Sequence, residues 1–378
     1  MAGIYIHIPF CKTKCHYCDF YKSTNFGARA DFLSALKKEI MLRKHEANHE
    51  TIESIYFGGG TPSVLKVNEI ESILETICSS FQVHQDPEIT LEANPDDLNE
   101  LFVQELTGTR INRLSIGIQS FNDRDLRAMN RRHNAVQAMD CVKRIQAAGF
   151  GNLSIDLIYG LPNQSTGDWK ENIEMALRMN VSHISAYHLT YHKGTVFYDY
   201  LKSGKISEIP DETSLAQFRL LKQSLERAGY EHYEISNFAR DGRYSRHNRS
   251  YWERKNYIGF GPSAHSFDQR TRRWNVSSLK KYLRAVENKT GFWEDEVLTS
   301  HDQYNDYIIT SLRTMWGISN DYIGSAFGSR YAFYFRKEAQ PFIDSGHLVC
   351  NGETYALSEE GLFISDRIME KLFFIGSF

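Results

Sequence analysis

The chain has 378 residues, 41% of them hydrophobic and 24% charged, with 44 Lys and Arg against 47 Asp and Glu. This composition excludes a disordered, collagen-like or coiled-coil chain, and a formal net charge of -3 offers no global attraction to nucleic acid or an anionic membrane. The length accommodates two or three domains and a core that folds without metal or disulfide staples; with no apolar run of about eighteen residues and no signal-peptide start, a cytoplasmic location is expected.

Taken in chain order, short β-rich runs alternate with helical periodicity. Ile4–Ile8, Ser54–Phe57, Glu88–Glu92, Arg113–Gly117, Leu153–Ile158 and His183–Tyr187 read as strands, each followed by a helix. Phe32, Leu36 and Ile40, then Val67, Ile70, Ile73 and Ile77, then Leu215, Phe218, Leu221 and Leu225 recur at three- and four-residue steps and predict one buried face per helix. Repeated βα units predict a parallel sheet in an α/β fold, a partial (βα)6 barrel over residues 1–235. Residues 236–289 read as a loop-rich elaboration, dense in arginine and aromatics, that starts near residue 230. Residues 290–378 predict a small helical or winged-helix-like domain, with an extended segment at Tyr355–Leu357 and Ser358 capping a last helix that carries Phe363, Ile364, Ile368, Leu372 and Phe373.

In such a fold the chemistry sits on loops at the C-terminal ends of strands. Cys11, Cys15 and Cys18 follow the first strand, Gly58–Pro62 the second and Glu92–Pro95 the third; Gln119 follows the fourth, and Asp156 lies near the end of the fifth. Three thiols on one loop suit a soft metal centre, and the absence of a second cysteine pair argues against structural zinc. A four-iron, four-sulfur cluster held by three cysteines leaves one iron open, as a ligand-binding centre requires. Zinc completed by His16, or three unconnected thiols, is the alternative. Gly58–Gly60 also fits a plain βα turn, without the Gly-Lys-Ser/Thr of a P-loop, and Glu92 and Asp156 also fit capping or ion-paired carboxylates.

The cysteine spacing, the barrel and the glycine loop resemble the radical SAM superfamily. Tyr5–Cys11, Gly58–Pro62, Glu92–Pro95, Ile116–Phe121 and Asp156–Pro162 are similar to the oxygen-independent coproporphyrinogen III oxidase group and to its heme chaperone branch, HemW, over nearly the whole chain. The resemblance implies a 4Fe-4S cluster on Cys11, Cys15 and Cys18 and S-adenosylmethionine held by Gly59, Glu92 and Tyr5. Contacts to a second S-adenosylmethionine map onto Tyr17, Gly60, Thr61, Gln119, Arg131 and Asp156. The oxidases carry a further cysteine where this chain has Phe20, and only ten residues precede Cys11, so the oxidases' N-terminal extension is not expected. Both departures favour the chaperone branch over porphyrinogen decarboxylation.

Between Arg240 and Arg254 the chain gathers five arginines with Tyr244, Tyr251 and Trp252. Guanidinium suits the propionates of heme, imidazole its iron and aromatic rings its flat face. A solvated arginine-rich loop or an RNA-contacting patch is the alternative. His247-Asn248-Arg249-Ser250-Tyr251 resembles the H-N-x-x-Y motif of the heme chaperones, which makes His247 the candidate axial ligand, with Asn248 and Tyr251 beside it. His188 and His192 read as polar rim residues, and His265 as part of a turn closing the barrel. The expected partners are heme, a recipient hemoprotein such as a membrane respiratory enzyme, and a second copy in a homodimer; nucleic acid is not expected.

Overall fold

The six β-rich runs become six parallel strands in the computed structural model, which describes residues 2–376. They are β1 (Ala2–Ile8), β2 (Ile52–Gly59), β3 (Val83–Ala93), β4 (Arg113–Gln119), β5 (Leu153–Tyr159) and β6 (His183–His188), paired side by side in chain order. The intervening helices are α1 (Arg29–Leu42), α2 (Val67–Ser80), α3 (Glu100–Leu106), α4 (Asp123–Ala128), α5 (Ala135–Ala147) and α6 (Thr166–Arg178), with α7 (Val196–Lys202) and α8 (Asp211–Arg227) after β6. Ile4, Ile6 and Ile8 of β1 point at the helix layer, where Phe32, Leu36 and Ile40 of α1 meet them. Each such fully buried aliphatic side chain contributes roughly 1.5–3 kcal/mol. Because side chains alternate across a strand, the intervening positions form the opposite, inner face. That face is polar: Tyr56 donates to Glu92 and Ser115 to Asp156 across it. The strands are thus apolar toward the helices and chemically equipped toward the barrel interior.

The stretch expected to be loop-rich carries five short strands and a helix between its loops. It holds β7 (Glu231–Glu234), β8 (Asn237–Ala239), α9 (Arg246–Trp252), β9 (Asn256–Phe260), β10 (His265–Phe267) and β11 (Thr271–Asn275), followed by α10 (Leu279–Asn288) and β12 (Trp293–Val297). These strands extend both edges of the sheet, in the order β12-β11-β10-β9-β1-β2-β3-β4-β5-β6-β8-β7. Their short length and many Arg and Tyr residues hid the pairing, which depends on partners far away in sequence. β9 runs parallel to β1. It is tied to α1 by a buried ion pair, Arg43 to Glu39 at 2.7 Å, in which Arg43 also donates to Gly259 O (2.7 Å) and Glu39 accepts from Gly261 N (2.8 Å) and Tyr282 Oη (2.6 Å). A buried pair is tolerable when its remaining donors and acceptors are satisfied in this way.

The C-terminal part has its own core around Tyr304, Ile308, Leu312, Phe335 and Leu372. It comprises α11 (Ser300–Leu312), β13 (Ile318–Ser319), α12 (Asn320–Ala326), α13 (Ser329–Asp344), the hairpin β14 (Leu348–Asn351) and β15 (Thr354–Leu357), then α14 (Glu359–Phe363) and α15 (Ser365–Leu372). Five helices and a three-stranded antiparallel sheet, in the order β13-β15-β14, make up the described residues of this part. Ser358 caps α14 by accepting from Gly361 N. The expected single last helix is broken at Ile364, so Phe363 and Ile368 lie on separate helices. Among the described residues no helix is long and apolar enough to cross a membrane.

Candidate functional site

Two adjoining cavities open at the strand ends. The first, about 450 Å³, is lined by Cys11, Cys15 and Cys18 together with Gly59, Gly60, Thr61, Glu92, Gln119, Arg131, Asp156 and Tyr17. Its cysteine loop is clamped from several directions: Cys11 N donates to Ser23 O (3.0 Å), His16 N to Met129 O (3.1 Å) and Phe197 N to His16 O (3.0 Å). The glycine loop is sewn to it, Gly60 N to Ile8 O and Thr61 N to Phe10 O, both at 2.8 Å.

Only glycine fits at two positions here. Gly59 has φ 103° and a Cβ would lie 2.6 Å from the His7 ring; at Gly60 a Cβ would lie 2.8 Å from Ile8 O and Phe10 O and 3.1 Å from Cys11 Sγ. Close approach to His7 of β1 at Gly59, and to the start of the cysteine loop at Gly60, therefore selects these glycines beyond the needs of a turn. Gln119 sits at φ 72° beside an irregularity in β4, a left-handed backbone that a non-glycine residue adopts only when its surroundings hold it there.

All six cysteines are free, and Thr61 Oγ1 donates to Cys11 Sγ (3.3 Å) and Arg131 to Cys15 Sγ (3.4 Å). His16 turns its Nδ1 to Ala128 O at 2.8 Å. Among the described residues no three His, Cys, Asp or Glu side chains converge on a single ion. Three thiols spread around one cavity, two of them accepting a hydrogen bond from a neighbour, fit a multi-iron cluster, in which each sulfur meets a different iron.

Opposite the thiols stand two carboxylates with no cationic partner in contact. Glu92 accepts from Tyr56 Oη (2.8 Å), and burial pushes its pKa up to about 7; Asp156 accepts from Ser115 (3.3 Å), and burial raises it to about 6. Neither is the capping or ion-paired carboxylate that the sequence left open. They are acceptors held ready for a donor-rich or cationic ligand. Arg131 links this wall together through Asn94 Oδ1 (2.5 Å) and Gly117 O. Asn94, Ser115, Gly117 and Tyr187 also line the cavity and were missed as site residues. Their inward phase on β4 and β6, or their place just after β3, was the available signal. His188 and His192 lie on the rim of this cavity.

Tyr5 stands apart from the other expected S-adenosylmethionine contacts. It lines the second cavity, about 710 Å³, with Tyr56, His247, Asn248 and Tyr251. The ring of His247 packs on Tyr56 (5.1 Å between centroids) and is 1% exposed. Both of its nitrogens are engaged, Nδ1 with Ser54 Oγ and Nε2 with Tyr251 Oη, each at 2.8 Å. Burial lowers its pKa to about 3, so the ring is neutral. Spacing of four residues on α9 sets Tyr251 over His247, and Glu88 fixes the start of that helix by accepting from Arg246 N and His247 N, both at 3.0 Å. Asp19, Phe20, Glu92 and Tyr187 belong to both cavity walls.

The sequence profile of the Radical SAM superfamily matches residues 5–176. A Bacillus subtilis protein named heme chaperone HemW is 32% identical over 372 residues, covering 97% of this chain and 98% of its own. A mitochondrial protein of Danio rerio, named radical S-adenosyl methionine domain-containing protein 1, is 36% identical over 381 residues, 97% of this chain and 86% of its own. Among solved structures, the radical SAM enzyme coproporphyrinogen III oxidase (HemN) from Escherichia coli superposes with a TM-score of 0.85 over 98% of this chain and 89% of its own; at 23% identity this likeness shows the fold.

Proposed function

The chain belongs to the HemW family within the radical SAM superfamily, and from that membership we propose that it binds a 4Fe-4S cluster, S-adenosylmethionine and heme, and hands the heme to a recipient hemoprotein. The observation that carries this reading is the junction of the two cavities. Three thiols, the glycine loop and two unpaired carboxylates line one, an aromatic pocket with His247 and Tyr251 forms the other, and the two share a wall.

In this reading Cys11, Cys15 and Cys18 hold the cluster. Gly59 and Gly60 admit the ligand to close backbone range, and Glu92, Asp156, Thr61, Gln119, Arg131 and Tyr17 supply the acceptors and donors that an ammonium, a carboxylate and a ribose diol need. Tyr5, through Tyr56 and Glu92, joins the two sites without lining the first. When bound, the cluster supplies one electron for reductive cleavage in those members of the superfamily that use it so. His247 is the candidate axial ligand of heme, and its Nε2 becomes available once Tyr251 turns away. Phe20 fills the position of the oxidases' further cysteine and stands 64% exposed at the shared wall, which supports heme handling over decarboxylation. A cytoplasmic location, a homodimer and a membrane respiratory recipient complete the proposal.

Anaerobic reconstitution followed by heme titration and a coproporphyrinogen III assay tests it. The expected result is retained heme with no stoichiometric decarboxylation. Stoichiometric decarboxylation, or failure to retain heme, overturns the chaperone reading. For the cluster, Cys15→Ala is expected to lose iron and the brown absorbance; unchanged iron content would refute the three-cysteine assignment.

A further inference from the structure

The five arginines from 240 to 254 do not form a cluster. Arg240 donates to Asn180 O (2.8 Å) and lies over Tyr230, while Arg246 donates to Asp86 O (3.0 Å) at the surface. Arg249 pairs with Glu253 (2.5 Å) and lies over Trp316, and Arg243 is exposed. Arg254 alone among the five lines the second cavity.

Its situation there is unusual in three respects. Arg254 makes no ion pair, and no hydrogen bond from its guanidinium to a described residue is found; Nε is buried with no acceptor. The nearby carboxylate of Asp306 is already held by Arg272. The guanidinium lies over Phe267 at 5.9 Å and Phe327 at 6.0 Å, contacts that use the face of the group and leave its in-plane N–H donors for something else. Finally, Arg254 has φ 52°, directly after α9, where a left-handed residue is usually glycine. A strained, partly buried cation without an anion is unfavourable unless a ligand completes it. Its neighbour Trp252 repeats the pattern, since its indole N–H is buried without an acceptor and lines the same cavity.

We propose that Arg254, with Trp252 beside it, is the anchor for a carboxylate of the ligand that enters the second cavity. This rests on the reading of that cavity as the heme site and deepens it, because it assigns a heme propionate to one guanidinium at the opposite end from His247. A carboxylate on a planar guanidinium is a bidentate, charge-assisted contact, and it fixes which edge of a flat molecule points inward.

Titration with heme and with heme dimethyl ester, whose carboxylates are capped, tests the assignment. The wild type is expected to prefer free heme by on the order of tenfold. Arg254→Gly is expected to bind both forms equally and at the level of the ester, while iron content after reconstitution stays at the wild-type value. Glycine relieves the left-handed backbone, so a melting temperature at or above that of the wild type shows that the loss is not unfolding; Arg254→Lys should restore part of the preference. A wild type that binds heme without preferring the free acid, or an Arg254→Gly protein that keeps the preference, overturns the anchor and leaves the chaperone reading standing. Protoporphyrin IX, the iron-free diacid, separates the remaining cases: Arg254-dependent binding of it without heme binding overturns the chaperone reading alone, and binding of neither overturns both.

Discussion

The first cavity rests on fixed backbone: a cysteine loop bonded to the glycine loop, the end of α4 and the start of α7, two glycines with no room for a Cβ, and Gln119 held left-handed. In the second the wall is side chains, aromatic rings around a histidine whose nitrogens are both bonded to neighbouring hydroxyls. A rigid, polar site suits a permanent cluster and a cofactor of fixed shape. A site closed by rotatable side chains suits cargo that must enter and leave. On the proposed reading the difference divides the protein into a part that holds cluster and cofactor and a part that takes up and releases cargo, with Asp19, Phe20, Glu92 and Tyr187 between them.

The sharpest way to break this division is at Gly60. Gly60→Ala puts a methyl group 2.8 Å from two backbone oxygens, neither of which can move without shifting the cysteine loop. We expect loss of nearly all cluster iron after reconstitution and a destabilisation of about 1–3 kcal/mol. Wild-type iron content in this variant would mean that the first cavity is as pliable as the second.

Next in size is the pH response of the first cavity in the cluster-free, ligand-free protein. Glu92 rises from its ordinary 4.5 to about 7 through burial, so the folded state holds its proton where the unfolded state has released it. Stability from this group is complete below about pH 4.5 and is lost as pH rises through about 7. The shift is worth roughly 3 kcal/mol, reduced to about 2 by the water that reaches the cavity. Denaturant melts of wild type and Glu92→Gln between pH 5 and 8 should therefore diverge, the wild type losing stability relative to the variant as pH rises. Parallel curves would show that Glu92 is not desolvated.

These expectations divide along the same line as what the sequence could reveal. Cys11, Cys15, Cys18, Gly59, Gly60 and Glu92 each sit at or just beyond the end of a strand whose apolar run is plain in the chain, so position along the strand already placed them on one rim; Asp156 instead faces inward from the middle of β5. Tyr5 sits on that same first strand, but its inward phase carries it to the other cavity, which strand order alone does not specify. The second cavity draws on α9, β9, β10 and α11, and its composition depends on sheet-edge pairings between segments remote in sequence. Five arginines close together in the chain look like one feature. Yet α9 and the turns beside it send them in different directions, and only the backbone reversal at Arg254 brings one into the cavity. The occupied nitrogens of His247 were likewise out of reach, since Ser54 comes from β2, on the far side of the sequence.

The smallest expected effect bears most directly on how the second cavity opens. Tyr251→Phe removes the hydroxyl on His247 Nε2 and little else, because the ring contacts with His247 and Tyr257, at 4.9 and 4.6 Å between centroids, are kept. The lost hydrogen bond should lower stability by about 1 kcal/mol. If that bond is what heme iron must displace, its absence favours the bound state by the same amount, and heme affinity should rise about fivefold in spectral titration while cluster iron is unchanged. A fall in affinity would instead assign the hydroxyl to the bound state, as a group that contacts heme or its ligand, and the second cavity would then be preformed in the same sense as the first.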